Sequence, residues 1–261
     1  MIKKITSKEN PFYKQLRKLY HEGAYRRKTG LLVVEGEKLV FEIINGDWTV
    51  EQLVVSESYW KKNVIFKKYK KYNNIIILPD SLFNGVSDLI TPEGIIAVVE
   101  AKSLTFPWEQ DGAFLILDGL QDPGNAGNLL RAALGFGLKG AILLPPAVDV
   151  YNPKVIRASA GASLKLPVLR MEANKLIEIF HKTKFPLLLA EAEGGMEVFN
   201  YKFPTKFFLA IGSEGRGISA TLEGLPHQKI FIPMPGAIES LNAALAGGII
   251  MYEWAKNRVN L

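Results

Sequence analysis

The chain has 261 residues, no cysteine and only three histidines, His21, His181 and His227. That composition excludes disulfide scaffolds, iron–sulfur clusters, Cys-ligated zinc and thiol nucleophiles, and leaves too few imidazoles for a histidine-built metal site. The net charge of +6 is uneven: residues 1–30 carry nine Lys/Arg against two acids, 31–110 eight against eleven, and 111–261 fifteen against thirteen. The start, MIKKITSKENPFYK, lacks the apolar stretch of a signal peptide, and no uncharged run reaches membrane-spanning length, so a cytoplasmic protein is expected.

Residues 1–30 read as a basic leader with Phe12, Tyr13, Tyr20 and Tyr25 among its cations. Rings between cations suit RNA, whose unstacked bases lie on aromatic faces while its phosphates attract the charge. An amphipathic helix burying Phe12, Leu16 and Leu19 is the equally open alternative. From residue 31 short apolar runs alternate with helical patterns: strands at 31–35, 52–56, 74–79 and 94–100, and a helix at 37–44. The lysines Lys61, Lys62, Lys67, Lys68, Lys70 and Lys71 read as a solvated helix face. This gives a small α/β unit over 31–102, followed by a Pro-containing linker at 103–110.

Residues 111–261 repeat the alternation with more apolar strands at 113–117, 140–145, 186–192, 207–212 and 229–234. Helical patterns lie at about 126–135, 153–162 and 173–183, and a last helix follows 240. Continuously apolar strands between helices predict a parallel sheet covered on both faces, with ligands beyond the strands' carboxyl ends.

Three loops at such ends carry chemistry. In DGLQDPGNAGNLLRAALGFG (118–137), Leu129, Leu130, Ala133 and Leu134 share one helix face, while Asn128 and Arg131 share another. Arg131 is either a surface arginine on a capped helix or, with the asparagines around the glycine turn, part of a phosphate or ribose site. AIGSEGRGIS (210–219) is a glycine turn without the Gly-Lys-Ser/Thr of a phosphate loop. It imitates a dinucleotide fingerprint, but the next strand ends in Pro233-Met234-Pro235 rather than a ribose-binding acid. Glu214 is there either a fixed contact or a turn acid. In IFIPMPGAIESLNAALAGGIIMYEWAKNR (230–258), Ser240 reads as the N-cap of a helix striped by Leu241, Leu245, Ile249 and Tyr252. Its small residues, Ala243, Ala244, Ala246, Gly247 and Gly248, admit a close neighbour, whether core, partner helix or ligand.

Taken together, the three loops resemble the signature motifs of the SpoU (TrmH) family of RNA ribose methyltransferases, within the SPOUT superfamily. The resemblance spans 111–261, with Ala243 where many members carry valine. TSKENPFYKQLRKL and VVEGEKLVFEII are similar to the leader and small RNA-binding domain, itself like a ribosomal protein, of members acting on large-subunit ribosomal RNA. The resemblance implies an α/β fold whose C-terminal parallel-sheet domain ends in a trefoil knot, against the general bias to unknotted chains. It implies an S-adenosylmethionine pocket lined by Gly212, Ile232, Met234 and Leu241. It further implies methyl transfer to a ribose 2′-hydroxyl of RNA, no metal, and a homodimer through 111–261. By motif position Arg131 would clamp the neighbouring phosphate, Asn125 and Ser240 would orient ribose and arginine, Asn242 would support the pocket, and Glu214 would hold its loop. A tRNA ribose methyltransferase is the alternative within the family, and a non-catalytic RNA-binding protein and a nucleotide-dependent oxidoreductase are the rival classes.

Overall fold

The computed structural model describes residues 2–62, 74–236, 239–256 and 258. The chain divides into two compact units, Met1–Ser103 with Tyr151–Pro153, and Leu104–Val150 with Lys154–Leu261.

The first unit runs β1 (Ile2–Lys4), α1 (Pro11–His21), α2 (Gly23–Thr29), β2 (Leu31–Glu35), α3 (Glu37–Asn45), β3 (Val50–Ser56), α4 (Glu57–Lys62), β4 (Ile75–Leu78), α5 (Asp80–Asn84) and β5 (Ile95–Glu100). Its sheet has the order β1-β4-β3-β5-β2, parallel across β1, β4 and β3 and antiparallel on either side of β5. The basic leader is not a separate arm. Its first residues form β1 against β4, and α1 starts where Asn10 accepts a bond from the Phe12 N–H at 2.9 Å, with Pro11 at the first helical position. Tyr13, Leu16, Leu19 and Tyr20 of α1 sit in the core with Val33, Val54, Ile76 and Phe83. Tyr13 and Tyr20 are therefore core rings and are not available to bases, while Phe12 and Tyr25 pack partly buried against the same cluster.

Arg26 is 2% exposed and donates to the carbonyls of Leu19 and Tyr20 at 2.7 and 3.0 Å, satisfying orphan acceptors near the end of α1. Burial, and then the Glu35 carboxylate that its hydroxyl contacts, raise the Tyr20 phenol above its ordinary pKa. Of the lysine cluster, Lys61 and Lys62 are exposed at the end of α4, while Lys67, Lys68, Lys70 and Lys71 lie outside the described residues.

The second unit runs β6 (Gly112–Asp118), α6 (Pro123–Gly135), β7 (Gly140–Leu144), α7 (Pro153–Ala158), β8 (Val168–Arg170), α8 (Ala173–Thr183), β9 (Leu187–Glu191), β10 (Met196–Glu197), β11 (Lys206–Gly212), α9 (Ala220–Glu223), β12 (Gln228–Phe231) and α10 (Ala243–Ala255). All seven strands are parallel, in the order β10-β12-β9-β11-β6-β7-β8. Phe114, Ile116, Leu189 and Phe208 pack on one face of this sheet with Leu176 and Phe180 of α8. Each such side chain taken fully from water contributes roughly 1.5–3 kcal/mol. The expected linker takes part: Phe106 is buried, its ring 4.3 Å from Trp108 and 5.3 Å from Phe114.

Several boundaries differ from expectation for local reasons. Pro233 and Pro235 cannot donate to a ladder, so β12 stops at Phe231. Ala160 and Gly161 take positive φ and end α7 early. β8 and β10 are too short for periodicity to reveal. The apolar face of α10 is rotated from the expected stripe: Gly247, Ile250, Met251, Trp254 and Ala255 face inward, while Leu245 and Tyr252 are each 54% exposed. A Cβ on Gly247 would stand 2.3 Å from Leu129 Cδ2, so this glycine lets α10 close on α6 within one chain. Leu134, expected inside, is 37% exposed.

Candidate active site

From β6 the chain proceeds outward through β7 and β8, whereas β9 and β12 lie on the far side of β11. The order of strands therefore reverses at the β6–β11 pair, whose carboxyl ends meet at Asp118 and Gly212. Crevices at such reversals are where open parallel sheets bind ligands. All three chemistry-bearing loops leave from this end, after β6, β11 and β12.

The loop after β6 enters α6 through Asp122, whose carboxylate accepts the Asn125 N–H at 2.7 Å, with Pro123 at the first helical position. The cap fixes the Asn125 backbone, and two partners fix its side chain. Asn125 Nδ2 donates to Glu214 Oε1 of the second loop, and Asn242 Nδ2 of the third donates to Asn125 Oδ1 at 3.0 Å. Asn242 also caps α10, its Oδ1 accepting from Ala244 and Leu245 N–H groups at 3.0 and 3.2 Å. This corrects the expected cap: Ser240 lies before the helix, exposed.

The second loop is a tight hairpin. Ser213 and Gly217 exchange both backbone bonds, at 3.1 and 2.8 Å, with Gly217 at φ 65°. A Cβ on Gly212 would stand 2.2 Å from the Gly217 carbonyl carbon, so only glycine fits where the hairpin folds back. Asp118, 5% exposed at the end of β6, accepts the Ser219 N–H at 2.7 Å and ties down the hairpin's far side. A dinucleotide turn opens a helix directly; here a closed hairpin intervenes and α9 is four residues long, which removes the oxidoreductase reading.

Beside this network lies a cavity of about 430 Å³. Gly212, Ile232, Met234 and Leu241 line it, as do Glu214, Ser240 and Asn242 at its polar side. Ala190 and Glu191 at the end of β9 and Ala192 just beyond it complete the wall, and sequence patterning gave no sign of their role there. Arg131 is not joined to the Asn125 network. Six residues along α6 carry it about 9 Å along the axis and about a third of a turn round, onto the exposed face with Asn128. Asp118 and Asp122 were also missed, although Asp118 closes an otherwise apolar strand, which is a readable signal. Among the described residues no group of three or more acidic or histidine side chains comes together to hold a metal ion.

The two roles of Asn242 are separable. Asn242→Ala is expected to lower unfolding free energy by about 1 kcal/mol through the lost cap, whereas Asn242→Ser keeps a capping oxygen and the stability. Both variants lose the bond to Asn125, so both should lose activity. Denaturant unfolding beside an activity assay checks this, and full activity in the serine variant would disprove the link.

The profile of the SpoU rRNA methylase family matches residues 112–252, and that of an MRM3-like substrate-binding domain matches 10–97. An uncharacterized tRNA/rRNA methyltransferase of Synechocystis sp. is 30% identical over 97% of this chain and 93% of its own. The 23S rRNA guanosine 2′-O-methyltransferase RlmP of Bacillus subtilis is 27% identical, over 96% and 98%. The SpoU methyltransferase AviRb of Streptomyces viridochromogenes, solved with AdoMet, superposes with a TM-score of 0.86 at 25% identity, covering 97% of this chain and 99% of that one. The fold is that of a methyltransferase that carries a substrate-binding domain. The chain belongs to the SpoU rRNA methylase family.

Proposed function

We propose that the protein transfers a methyl group from S-adenosylmethionine to a ribose 2′-hydroxyl of ribosomal RNA, in the cytoplasm. The observation that carries this is the bonded set Asn125–Glu214–Asn242, which draws three distant loops together at the rim of one cavity. The cavity suits the donor. Ile211, Ile232, Leu241 and Ile250 offer apolar walls for adenine and the methionine chain, and the bare backbone at Gly212 leaves room that a Cβ would close.

When bound, S-adenosylmethionine supplies a methyl already activated on a sulfonium, so the protein's task is alignment and charge. Held from both sides, the Asn125 amide cannot flip, and its second N–H and second lone pair remain to orient the ribose. A guanidinium stays protonated and cannot act as base. Arg131 instead clamps the adjoining phosphate by two bonds and stabilises the oxygen as it loses its proton. That proton passes to water or to the phosphate. The match to the SpoU family supports a C-terminal segment threaded as a trefoil knot.

The direct test is incubation with labelled S-adenosylmethionine and ribosomal RNA followed by alkali. A 2′-O-methyl group blocks the cyclisation by which alkali cleaves RNA, so a labelled, alkali-resistant dinucleotide is expected. Label recovered only in mononucleotides would overturn the reaction.

The uncovered face of α10 supports a homodimer. Leu245 and Tyr252 are exposed, a Cβ on Gly248 would meet nothing within 4 Å, and Leu134 of α6 is exposed as well. A two-fold interface feels each substitution twice. Leu245→Glu is expected to convert a species of twice the chain's mass into the single chain at micromolar concentration, with loss of activity; a fully active wild-type monomer would refute this.

The basic leader supports RNA binding through its outward cations. Lys8, Arg17 and Lys28 are exposed, whereas deleting 1–30 would remove core residues. Their joint replacement by alanine should reduce the slope of log affinity against log salt by about 0.7–0.9 for each phosphate left without its cation. An unchanged slope would make the leader purely structural.

A further inference from the structure

Ser213, Glu214 and Gly217 border two cavities rather than one. The second, about 300 Å³, lies between the hairpin and the carboxyl ends of β6 and β7, against Gly119, Gln121, Pro145, Pro146 and Arg216. The wall between the two is stiff, closed by the Ser213–Gly217 bond pair and anchored through Ser219 to buried Asp118. It carries Glu214, which is bonded to Asn125. Methyl transfer needs the ribose oxygen in direct line with the donor's methyl and sulfur, so the ribose must reach the rim of the first cavity, while the base, which takes no part in the bond change, can lie on the other side of the hairpin.

We infer that the second cavity receives the base of the target nucleotide, turned out of its stack, with the ribose left at the rim beside Asn125. The inference rests on the methyltransferase reading above. The chemistry of the lining fits a base and not the donor's apolar parts. Pro145 and Pro146 present saturated rings against which a flat base can lie, and Gly119, at φ 66°, contributes no side chain. Gln121 brings an amide that both donates and accepts, the group that reads a base edge by paired hydrogen bonds. Arg216 is exposed at the hairpin tip, where a guanidinium meets a backbone phosphate. Enzymes that do chemistry on a base extrude it and read it by such contacts, and the same contacts would let a ribose-directed enzyme select one nucleotide by its base. Gln121 is thereby the residue that sets base preference.

The test uses the full-length protein and four transcripts of the ribosomal RNA fragment that the alkali assay identifies, differing only in the target base. The wild-type protein is expected to favour one base by roughly tenfold or more in kcat/KM. Gln121→Leu should flatten that preference at least tenfold, and Gln121→Glu, which turns a donor into an acceptor, should shift it toward another base. S-adenosylmethionine affinity should stay within about twofold in both variants, which also reports that they fold. Equal use of four bases by the wild type, or an unchanged preference in both variants, overturns the assignment. So does a loss of S-adenosylmethionine affinity in both, which would give the cavity to the donor. Absence of any transfer by the wild type is a different failure and overturns the enzymatic reading itself.

Discussion

Arg131→Ala is expected to reduce methyl transfer by about 10²–10³-fold, the range found when a donor to a developing oxyanion is removed, while leaving S-adenosylmethionine affinity nearly unchanged. The separation follows from position: Arg131 stands on the exposed face of α6 and does not line the large cavity. Arg131→Lys should be similarly impaired, because a point-like ammonium cannot reproduce a planar two-bond contact. Equilibrium binding of the donor measured beside single-turnover transfer decides the matter. Parallel loss of binding and transfer would mean that Arg131 holds the pocket and not the phosphate.

Gly212→Ala is expected to do what Arg131→Ala does not. The added carbon would stand 2.2 Å from the Gly217 carbonyl carbon, 2.3 Å from its oxygen and 2.5 Å from Ile218 N, all backbone atoms with no rotamer to escape into. The hairpin must shift, taking with it the wall of the donor cavity and Glu214. Donor affinity should fall about 10- to 100-fold, corresponding to roughly 1.4–2.8 kcal/mol, with transfer falling alongside. Wild-type affinity in this variant would show that the hairpin does not shape the donor site.

The large features of the second unit were legible because β6, β7, β9 and β11 are apolar runs between amphipathic helices, which only a doubly covered parallel sheet accommodates. The loops were legible because glycine, proline and asparagine cluster where helical and strand periodicity stop. Roles for Asn125, Arg131, Glu214, Ser240 and Asn242 came from resemblance, since spacing along a chain does not reveal a bond across 89 or 117 residues. α10 defeated the helix wheel for a physical reason. Alanine, glycine and isoleucine surround it, so its polarity has almost no preferred side, and which face turns inward is decided by the fit of Gly247 over Leu129. The leader was misdivided because its charge is outward and its anchoring rings, Tyr13 and Tyr20, look from sequence like those of a nucleic-acid surface.

The Asn125–Glu214–Asn242 bonds also have a temporal meaning. Chains emerge from synthesis amino end first and fold largely in that order. The first unit can take its shape, and α6 can be capped by Asp122, long before Asn242 exists. Until the last helix arrives, the Asn125 carbonyl lacks its partner and the large cavity lacks the wall formed by Ser240, Leu241 and Ala246. Under the function proposed above, a nascent or prematurely terminated chain would hold its RNA-binding elements without a finished chemical centre and would occupy its target but leave it unmodified. Chains ending before Asn242 should accordingly compete with the complete protein for RNA, a dominant interference that loss of any single catalytic side chain would share.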